Sequence, residues 1–415
     1  MSIMWKALSF PEGGKVMEFL GYERPDGSVG VRNHVAVISG GRCANEMAAT
    51  IADAVKGTVP ILHTYPCVRL KEDNERALRT LIGLGSNPNV AAAIVVGIGC
   101  ENPPPLEIGE GIAKSKKPVE VLTIIGSNGF QDVLDRGLAA AHCMVSQVSQ
   151  MKRKPFELSH LTLGVKCGGS HATSGIVGNP VTGRVFDRLI AEGGTAIFSE
   201  TEEVIGATHL LVKRAINKEV ARRLQEAVDR MEARTKATGE DIRGSQPTRA
   251  NIQGGLTTIE EKSLGALAKS GTAPLQGVLE YAERPQGKGL FFMDGSAMTG
   301  ELIGGEAAAG IQIHIYNLGG GLTSSFRCMP GFAGGLPILP EIFVVSNPSK
   351  PRDSQERESF DIYADTIIEG KESIAQVADR LFQEVIAVAS GKLTKQEMRS
   401  GYRELLEMYT TGPIL

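Results

Sequence analysis

Short apolar runs alternate with longer amphipathic stretches along most of the chain. The run AAAIVVGI at 91–98 is apolar throughout, which is typical of a strand buried on both faces of a sheet. Strands are predicted in the first part of the chain at 34–38, 59–62, 91–98 and 119–125. Helices are predicted between and after them at 44–55, 70–82, 107–114 and 130–151. This alternation predicts an α/β unit with a mainly parallel, Rossmann-like sheet flanked by helices.

A second unit with the same pattern follows. Its predicted strands are 161–165, 195–198, 290–293, 311–316 and 341–345, and its predicted helices are 180–192, 218–237, 260–268 and 374–390. The stretch 239–255 is rich in Gly, Gln and Arg and is predicted to be a loop. The charged segment 152–155 ends in a proline and follows neither the helical nor the strand pattern of hydrophobic positions. We therefore predict a lead at 1–19, a first α/β domain at 20–153 and a larger α/β domain at 154–415.

Composition and charge exclude several classes of protein. The 415 residues carry a net charge of −3 without a basic stripe, which argues against nucleic-acid binding. No apolar run reaches the ~18 residues of a spanning helix, and the N-terminus lacks a signal-peptide pattern, so we expect a cytoplasmic protein without membrane contact. The six cysteines form no Cys-x-x-Cys pair. The first strand is followed by no dinucleotide fingerprint, and the P-loop and Gly-x-Ser-x-Gly motifs are absent.

Cysteine, histidine and acidic residues collect directly after the predicted strands. The carboxyl ends of parallel strands meet at one edge of a sheet, where open α/β folds bind ligands. Thiolate, imidazole and carboxylate groups at such an edge favour a metal ion such as iron, zinc or manganese. Three or four thiolates could instead hold an iron–sulfur cluster. Cysteine is also among the most buried residue types, so a structural role for each one stays open.

Several motifs resemble, in the same order, those of the altronate/galactarate dehydratase family. They are GYxRPDGxVGVRN at 21–33, GxGCE at 97–101, CGGS at 167–170, GTAxxSE at 194–200, GGLTTIEEKSLG at 254–265 and FMD at 292–294. The resemblance implies a metal-dependent hydro-lyase that eliminates water from a sugar acid or related 2-hydroxy acid. The product would be a 2-keto-3-deoxy acid, formed through a metal-stabilised ene-diolate. Fe²⁺ or Mn²⁺ is the expected metal, with Mg²⁺ or an iron–sulfur cluster as alternatives.

The motifs and the strand ends together suggest the site residues. The expected metal ligands are His63, Cys67, Cys100, Glu101, Cys167 and Cys43. The expected acid/base residues are His171, Lys262 and His63, because histidine titrates near neutral pH. The expected substrate-binding residues are Arg32 as a carboxylate clamp, Asn33, Gly168, Gly169, Ser170, Glu200, Thr257, Thr258 and Asp294. Cys328, in a Gly- and Pro-rich loop, is a further candidate.

Two positions depart from the family pattern. Pro66 stands in HTYPC, where the family usually has glycine, and His171 follows CGGS, where it usually has aspartate. The alternatives are therefore a C–S lyase acting on a 3-sulfolactate-like acid with a small partner subunit, or a non-catalytic binding paralogue. About 20 residues precede the Gly-Tyr opening. The small N-terminal domain of longer dehydratases is therefore expected either as a separate small subunit or as a dispensable part. We also expect a homo-oligomer.

Overall fold

The computed structural model describes residues 17–67, 69–319, 335–347, 360–398 and 405–412. The strands in chain order are β1 (Glu18–Glu23), β2 (Val29–Gly30), β3 (His34–Ser39), β4 (Thr58–Ile61), β5 (Val90–Gly97), β6 (Val119–Thr123), β7 (Lys154–Glu157), β8 (Thr162–Gly168), β9 (Thr195–Phe198), β10 (Leu275–Leu279), β11 (Gly289–Met293), β12 (Ile313–Leu318), β13 (Glu341–Val345) and β14 (Ile362–Tyr363). The helices are α1 (Asn45–Ala54), α2 (Lys71–Ser86), α3 (Pro105–Ala113), α4 (Phe130–Ser149), α5 (Asn179–Ala191), α6 (Thr201–Val204), α7 (Thr208–Val212), α8 (Lys218–Ala237), α9 (Ile242–Ser245), α10 (Arg249–Gln253), α11 (Ile259–Leu267), α12 (Thr299–Ala308) and α13 (Ile374–Ala389).

The first sheet has four parallel strands in the order β4–β3–β5–β6. Helices α1 and α4 cover one face through Ile51 and Val133, and α2 and α3 cover the other through Leu81 and Ile108. Strand β5 is buried at every position because it lies inside the sheet between these layers. The predicted parallel α/β unit is confirmed.

The second sheet has seven parallel strands in the order β10–β11–β9–β8–β12–β13–β14. Helices α5 and α13 pack on one face through Leu189 and Leu381. Helix α12 belongs to the apolar cluster on the other face, which also contains α2 of the first unit. The two helices approach closely, because a Cβ atom on Gly83 would lie only 2.5 Å from the carbonyl oxygen of Ala308. The second predicted α/β unit is confirmed as well, and one apolar core joins it to the first.

A small antiparallel sheet in the order β2–β1–β7 joins the chain segments that flank the first unit. The Arg153 guanidinium ties this junction together through the carbonyl oxygens of Leu20, Val31 and Ala389. The predicted boundary at residue 153 lies immediately before β7, and β1 starts inside the predicted lead. The rest of that lead up to residue 16, and Cys328, lie outside the described residues.

The structure also adds elements that the sequence pattern did not predict. The stretch 239–255, predicted to be a loop, contains the short helices α9 and α10. Strands β10 and β14 and helix α12 are further additions. Across the described ranges, no helix combines the length and the apolar character needed to cross a bilayer.

Candidate functional site

A cavity of about 310 Å³ opens at the carboxyl end of β8. Cys167 and the turn around His171 form one wall, and Lys262 on α11 contributes to the other. Between that turn and α5 the chain forms a π-helix over Ser174–Gly178. Single π-helical turns are rare and frequently occur at functional sites. The predicted residues Cys167, Ser170, His171 and Lys262 are therefore brought together here.

Five buried charged side chains form a continuous network beside this cavity: Lys166, Glu200, Lys269, Glu203 and Lys262. None of the five is more than 8% exposed. The Glu200 carboxylate is ion-paired with both Lys166 and Lys269. The Glu203 carboxylate lies 3.7 Å from the Lys269 ammonium and 3.1 Å from the Lys262 ammonium. Of these five side chains, Glu203 and Lys262 line the cavity, where Glu261 is a further carboxylate.

Glu200 occupies an unusual backbone conformation at the centre of the network. Its φ of 79° lies in the left-handed region, which residues other than glycine rarely adopt. Such strain persists where the surrounding structure enforces it, often at functional sites. Burial also lowers the pKa of Lys269 to about 8, so this ammonium stays charged at neutral pH.

Glu203 faces the cavity and was missed by the sequence analysis. It lies on α6, two residues after the SET segment at 199–201 that follows β9, so its position behind a strand end was the available signal. Its Oε2 atom has no hydrogen-bond partner among the residues that the structure describes. A buried carboxylate oxygen without such a partner can accept a proton from a bound molecule.

The ammonium group of Lys262 has a protein acceptor for each of its N–H donors. Its ammonium donates to Gln246 Oε1 at 2.7 Å and to Asn251 Oδ1 at 3.2 Å, in addition to the ion pair with Glu203. An ammonium has three N–H donors, and all three are matched here. The geometry therefore assigns Lys262 to holding Glu203 in place.

His171 has one ring nitrogen engaged. Its Nδ1 accepts a hydrogen bond from the backbone N–H of Thr173 at 3.1 Å and lies 3.0 Å from the Thr173 hydroxyl. Burial lowers the pKa of the imidazole, so the ring is neutral at physiological pH. Because Nδ1 acts as an acceptor, we assign the proton to Nε2, which makes His171 a hydrogen-bond donor.

Cys167 lies deeper in the same cavity. Its Sγ atom is 3.5 Å from the Ser170 hydroxyl and accepts a hydrogen bond from the Asn179 amide at 3.7 Å. Asn179 is oriented in turn by Asn317, whose amide donates to Asn179 Oδ1 at 3.0 Å. The cavity wall is thus held by side-chain hydrogen bonds from β12 and α5.

The remaining predicted ligands lie at the carboxyl edge of the first sheet. His63 accepts the backbone N–H of Tyr65 at Nδ1 (3.2 Å), and its Nε2 lies 3.0 Å from the carbonyl oxygen of Ser39. Burial lowers the pKa of this imidazole to about 4. The Glu101 carboxylate accepts the backbone N–H groups of Ile98 and Gly99. Both side chains are therefore engaged with the backbone.

The predicted ligands do not fit one metal ion. Within the described ranges, no three His, Cys, Asp or Glu side chains are grouped so as to hold an ion. Cys167 lies in the cavity beside β8, whereas the other five ligands lie at the edge of the first sheet. His63 could coordinate an ion only by giving up one of its backbone hydrogen bonds.

Arg32 and Asn33 precede β3 and thus lie at the amino edge of the first sheet. The Arg32 guanidinium forms a bidentate pair with Glu397, at 2.6 and 2.7 Å, and donates to three backbone carbonyl groups. All five of its N–H donors are thereby matched, so none is left for a substrate carboxylate. Asn33 donates to the Val148 carbonyl group and accepts from Arg24. Both side chains stabilise the fold in this structure.

Of the other predicted substrate-binding residues, two lie at the start of α11 and one is buried away from it. Thr258 caps α11, and Thr257 donates its backbone N–H to Glu261, so both start a helix beside the cavity. Asp294 is buried and accepts hydrogen bonds from Thr201 and Arg230.

Gly168 and Gly169 form the backbone between β8 and the cavity. A Cβ atom on Gly168 would overlap the Tyr316 ring, and Gly169 has a φ of 56°. Glycine is therefore required at these positions for packing and backbone conformation.

Glu202 should make stability depend on pH. Its carboxylate accepts the Ala297 N–H at 2.9 Å, and burial raises its pKa from 4.5 to about 7. Between these values the folded state holds a proton that the unfolded state has lost, so stability falls as pH rises, by at most about 1.4 kcal/mol per pH unit. We expect Glu202→Gln to flatten this fall, measured by denaturant unfolding at about pH 5 and about pH 8. An equally steep fall in the variant would contradict this origin.

Comparison with known proteins agrees with the sequence motifs. The family model of the D-galactarate/altronate dehydratase C-terminal domain matches residues 158–411, and that of the D-galactarate dehydratase/altronate hydrolase second domain matches residues 21–149. The chain is 37% identical to the (2R)-sulfolactate sulfo-lyase subunit beta of Chromohalobacter salexigens, over 94% of this chain and 96% of that protein. It is 31% identical to the altronate dehydratase of Escherichia coli, over 92% of this chain and 76% of that protein. The galactarate dehydratase (L-threo-forming) of Escherichia coli is 30% identical over 95% of this chain and 77% of that protein.

Proposed function

The chain belongs to the D-galactarate/altronate dehydratase family, and we propose that it is a lyase acting on a small 2-hydroxy acid in the cavity beside β8. The observation that carries this proposal is the cavity that brings His171 together with the buried Glu203 carboxylate, which the lysine network holds from behind. The Nε2–H group of His171 suits a carboxylate-bearing substrate, and Glu203 supplies a proton acceptor.

The reaction is an elimination across C2 and C3 of the hydroxy acid. A base removes the proton from C2, next to the carboxylate, while the bond between C3 and the leaving group breaks. The electron pair of the C2–H bond becomes the C2=C3 double bond of an enol, and the leaving group departs with its own bonding pair. Proton transfer to C3 then converts the enol into the 2-keto acid. Sulfite leaves in this way as the anion, whereas the 3-hydroxyl group of a sugar acid takes up a proton as its bond to C3 breaks and leaves as water.

We assign the base to Glu203 and the stabilising donor to His171. Lys262 holds the Oε1 atom of Glu203, and the Oε2 atom, which accepts no hydrogen bond and lies 3.7 Å from the Lys269 ammonium, takes the C2 proton. The Nε2–H group of His171 donates to the oxygen on which negative charge develops. The metal expected from the resemblance does not fit the described residues as a single ion, so no step is routed through it.

For the leaving group, we propose sulfite from a 3-sulfolactate-like acid. The sulfo-lyase subunit shares 37% identity and is matched over 96% of its length, against 76–78% for the dehydratases. The name of that relative, subunit beta, supports a separate partner subunit for this chain as well. The second candidate is loss of water from a sugar acid, favoured by the family match across both domains.

A product assay separates these functions. The full chain, alone and with a small subunit of the sulfo-lyase type, would be incubated with 3-sulfolactate, altronate and galactarate. Release of sulfite with an equal amount of pyruvate is the expected result. A 2-keto-3-deoxy acid from the sugar acids would identify the dehydratase instead. Binding of these acids without any product would contradict both lyases and leave a binding paralogue.

His171→Asn should slow turnover by roughly 10²-fold, the usual loss when one donor to a developing oxyanion is removed. Substrate affinity should change little, because the donor acts mainly on the developing charge. The measurement is kcat and KM on the substrate found above, with His142→Asn on α4 as the matched control. Activity within threefold of wild type would remove His171 from the site.

A further inference from the structure

A second cavity, of about 550 Å³, lies where the first α/β unit meets the second, and we call it the interdomain cavity. Helices α2 and α3 line it from the first unit through Leu78, Ile82 and Gly111. The segment 282–286, which follows β10, and Ala308 at the end of α12 line it from the second unit. Its volume is in the range of about 300–1,000 Å³ that is usual for small-molecule sites. The described residues that line it differ from those that line the cavity beside β8.

Arg284 lines the interdomain cavity without a protein partner for its charge. Among the described residues, no carboxylate lies within ion-pair distance of its guanidinium group, and its buried Nη2 atom has no hydrogen-bond acceptor. Burial lowers the pKa of this arginine, and the charge of Asp26 offsets only part of that effect. Taking a charged group out of water is costly unless an anion or hydrogen-bond acceptors compensate for it. The guanidinium group of Arg284 therefore favours an anion in the cavity.

Further positive charge surrounds Arg284. Lys117 is buried, and its ammonium group donates to two backbone carbonyl groups at 2.7 and 2.6 Å. Burial lowers the pKa of Lys117 well below its ordinary value, and the charges of Arg24 and Arg284 lower it further. The carboxylate that opposes these groups is Asp26, which is exposed and accepts two hydrogen bonds within its own turn. An anion bound to Arg284 would reduce the repulsion among these groups.

Arg79, on α2, is surrounded by charges of both signs. Its Nε–H group donates to the carbonyl oxygen of Tyr281 at 2.8 Å, which holds the start of the segment 282–286 against α2. Burial lowers the pKa of Arg79, and the carboxylates of Glu283 and Glu75, which also line the cavity, raise it. A ligand with a second negative group would therefore meet two carboxylates here. This part of the lining favours a ligand with a single negative charge.

The backbone beside Arg284 is strained. Ala282 lines the same cavity and has a φ of 63°, in the left-handed region that residues other than glycine rarely adopt. Its N–H group points at the Met293 sulfur, 3.4 Å away, on the neighbouring strand β11. Strain of this kind persists where the surrounding structure enforces it, often at ligand sites. It fixes the course of the chain that carries Arg284 into the cavity.

We propose that the interdomain cavity binds a small organic monocarboxylate, whose carboxylate pairs with Arg284 and whose apolar body packs on Leu78, Ile82 and Ala308. The planar fork of a guanidinium group matches a carboxylate through two parallel hydrogen bonds. A phosphate monoester would carry about −1.5 to −2 charges near neutral pH and would be repelled by Glu75 and Glu283. The proposal is independent of the lyase site, because a different set of residues lines this cavity.

The test compares the binding of phenylacetate with that of its uncharged analogue phenylacetamide, by isothermal titration calorimetry on the full chain. We expect saturable binding of the acid and at least about tenfold weaker binding of the amide, because hydrogen bonds to charged groups are the strong ones. Arg284→Met should weaken phenylacetate binding by a similar factor, and Arg284→Lys, which keeps the charge but loses the fork, should fall between. Arg184→Met, at an exposed position on α5, is the matched control and should bind as wild type does.

Stability distinguishes a ligand-binding arginine from a structural one. Without ligand, Arg284→Met should unfold at the same or a higher denaturant concentration than wild type, because it removes a desolvated charge that has no protein partner. A lower stability with unchanged phenylacetate binding would overturn the proposal. Equal binding of acid and amide, tighter binding of inorganic phosphate, or no binding of phenylacetate to wild type would overturn it as well. Binding that is lost in His171→Asn but kept in Arg284→Met would assign the ligand to the cavity beside β8 instead.

Discussion

Glu203→Gln is expected to lower kcat by about 10²–10⁴-fold, the contribution that a positioned general base usually makes. The amide keeps the size of the side chain and can still accept a hydrogen bond from the Lys262 ammonium at Oε1. It loses the negative charge, the ion pair with Lys269 and the ability to take a proton at Oε2. KM should therefore change much less than kcat. The measurement is steady-state kinetics on the substrate identified by the product assay.

Hydrogen exchange distinguishes a base from a purely structural glutamate. An analogue with a 2-hydroxy acid group but no leaving group should exchange its C2 proton with deuterium oxide when wild type is present. Glu203→Gln should abolish this exchange, whereas Glu260→Gln, on the exposed side of α11, should preserve it. Exchange at the wild-type rate in Glu203→Gln would assign the proton transfer to another residue. Unfolding curves of both variants check that the fold is intact.

The fold was largely predictable because its strands are apolar on both faces. Strand β5 is the clearest example, since eight consecutive small or apolar residues admit few other structures. Helix α12 was not predicted, because its sequence TGELIGGEAA contains three glycines and is buried nearly all round. A helix buried in this way shows no amphipathic period, and glycine is a poor helix former. Tertiary packing against α2 explains why it is helical.

The candidate site was predictable in position more than in the roles of its residues. The rule that reactive side chains follow strand ends placed Cys167 and His171, which the structure brings together beside the cavity. It also expected Cys43, Cys67 and Cys100 around the same metal as Cys167, whereas these three lie at the edge of the other sheet. The same rule could not predict that the Arg32 guanidinium pairs with the Glu397 carboxylate, because these residues are 365 positions apart in the sequence. It also left out Lys166 and Lys269, since a lysine in a strand or helix gives no sign of a buried partner. Long-range ion pairs are set by the tertiary fold.

Lys269→Met is expected to destabilise the protein by about 3–5 kcal/mol, the usual cost of leaving a buried charge without its partner. Lys269 is 1% exposed and lies against both Glu200 and Glu203. After its removal Glu200 keeps only Lys166, and Glu203 keeps only Lys262. Methionine fills a similar volume, so the loss reports on charge more than on packing. Denaturant unfolding near neutral pH measures it.

The double variant Lys269→Met with Glu200→Gln tests whether the loss comes from an unpaired charge. If it does, removing the Glu200 charge as well should recover part of the stability, and the two effects should not add. The exposed pair of Lys154 and Glu23, at 2.9 Å, provides the control, since Lys154→Met should cost no more than about 1 kcal/mol. Equal losses in the two lysine variants would mean that burial adds nothing to the network.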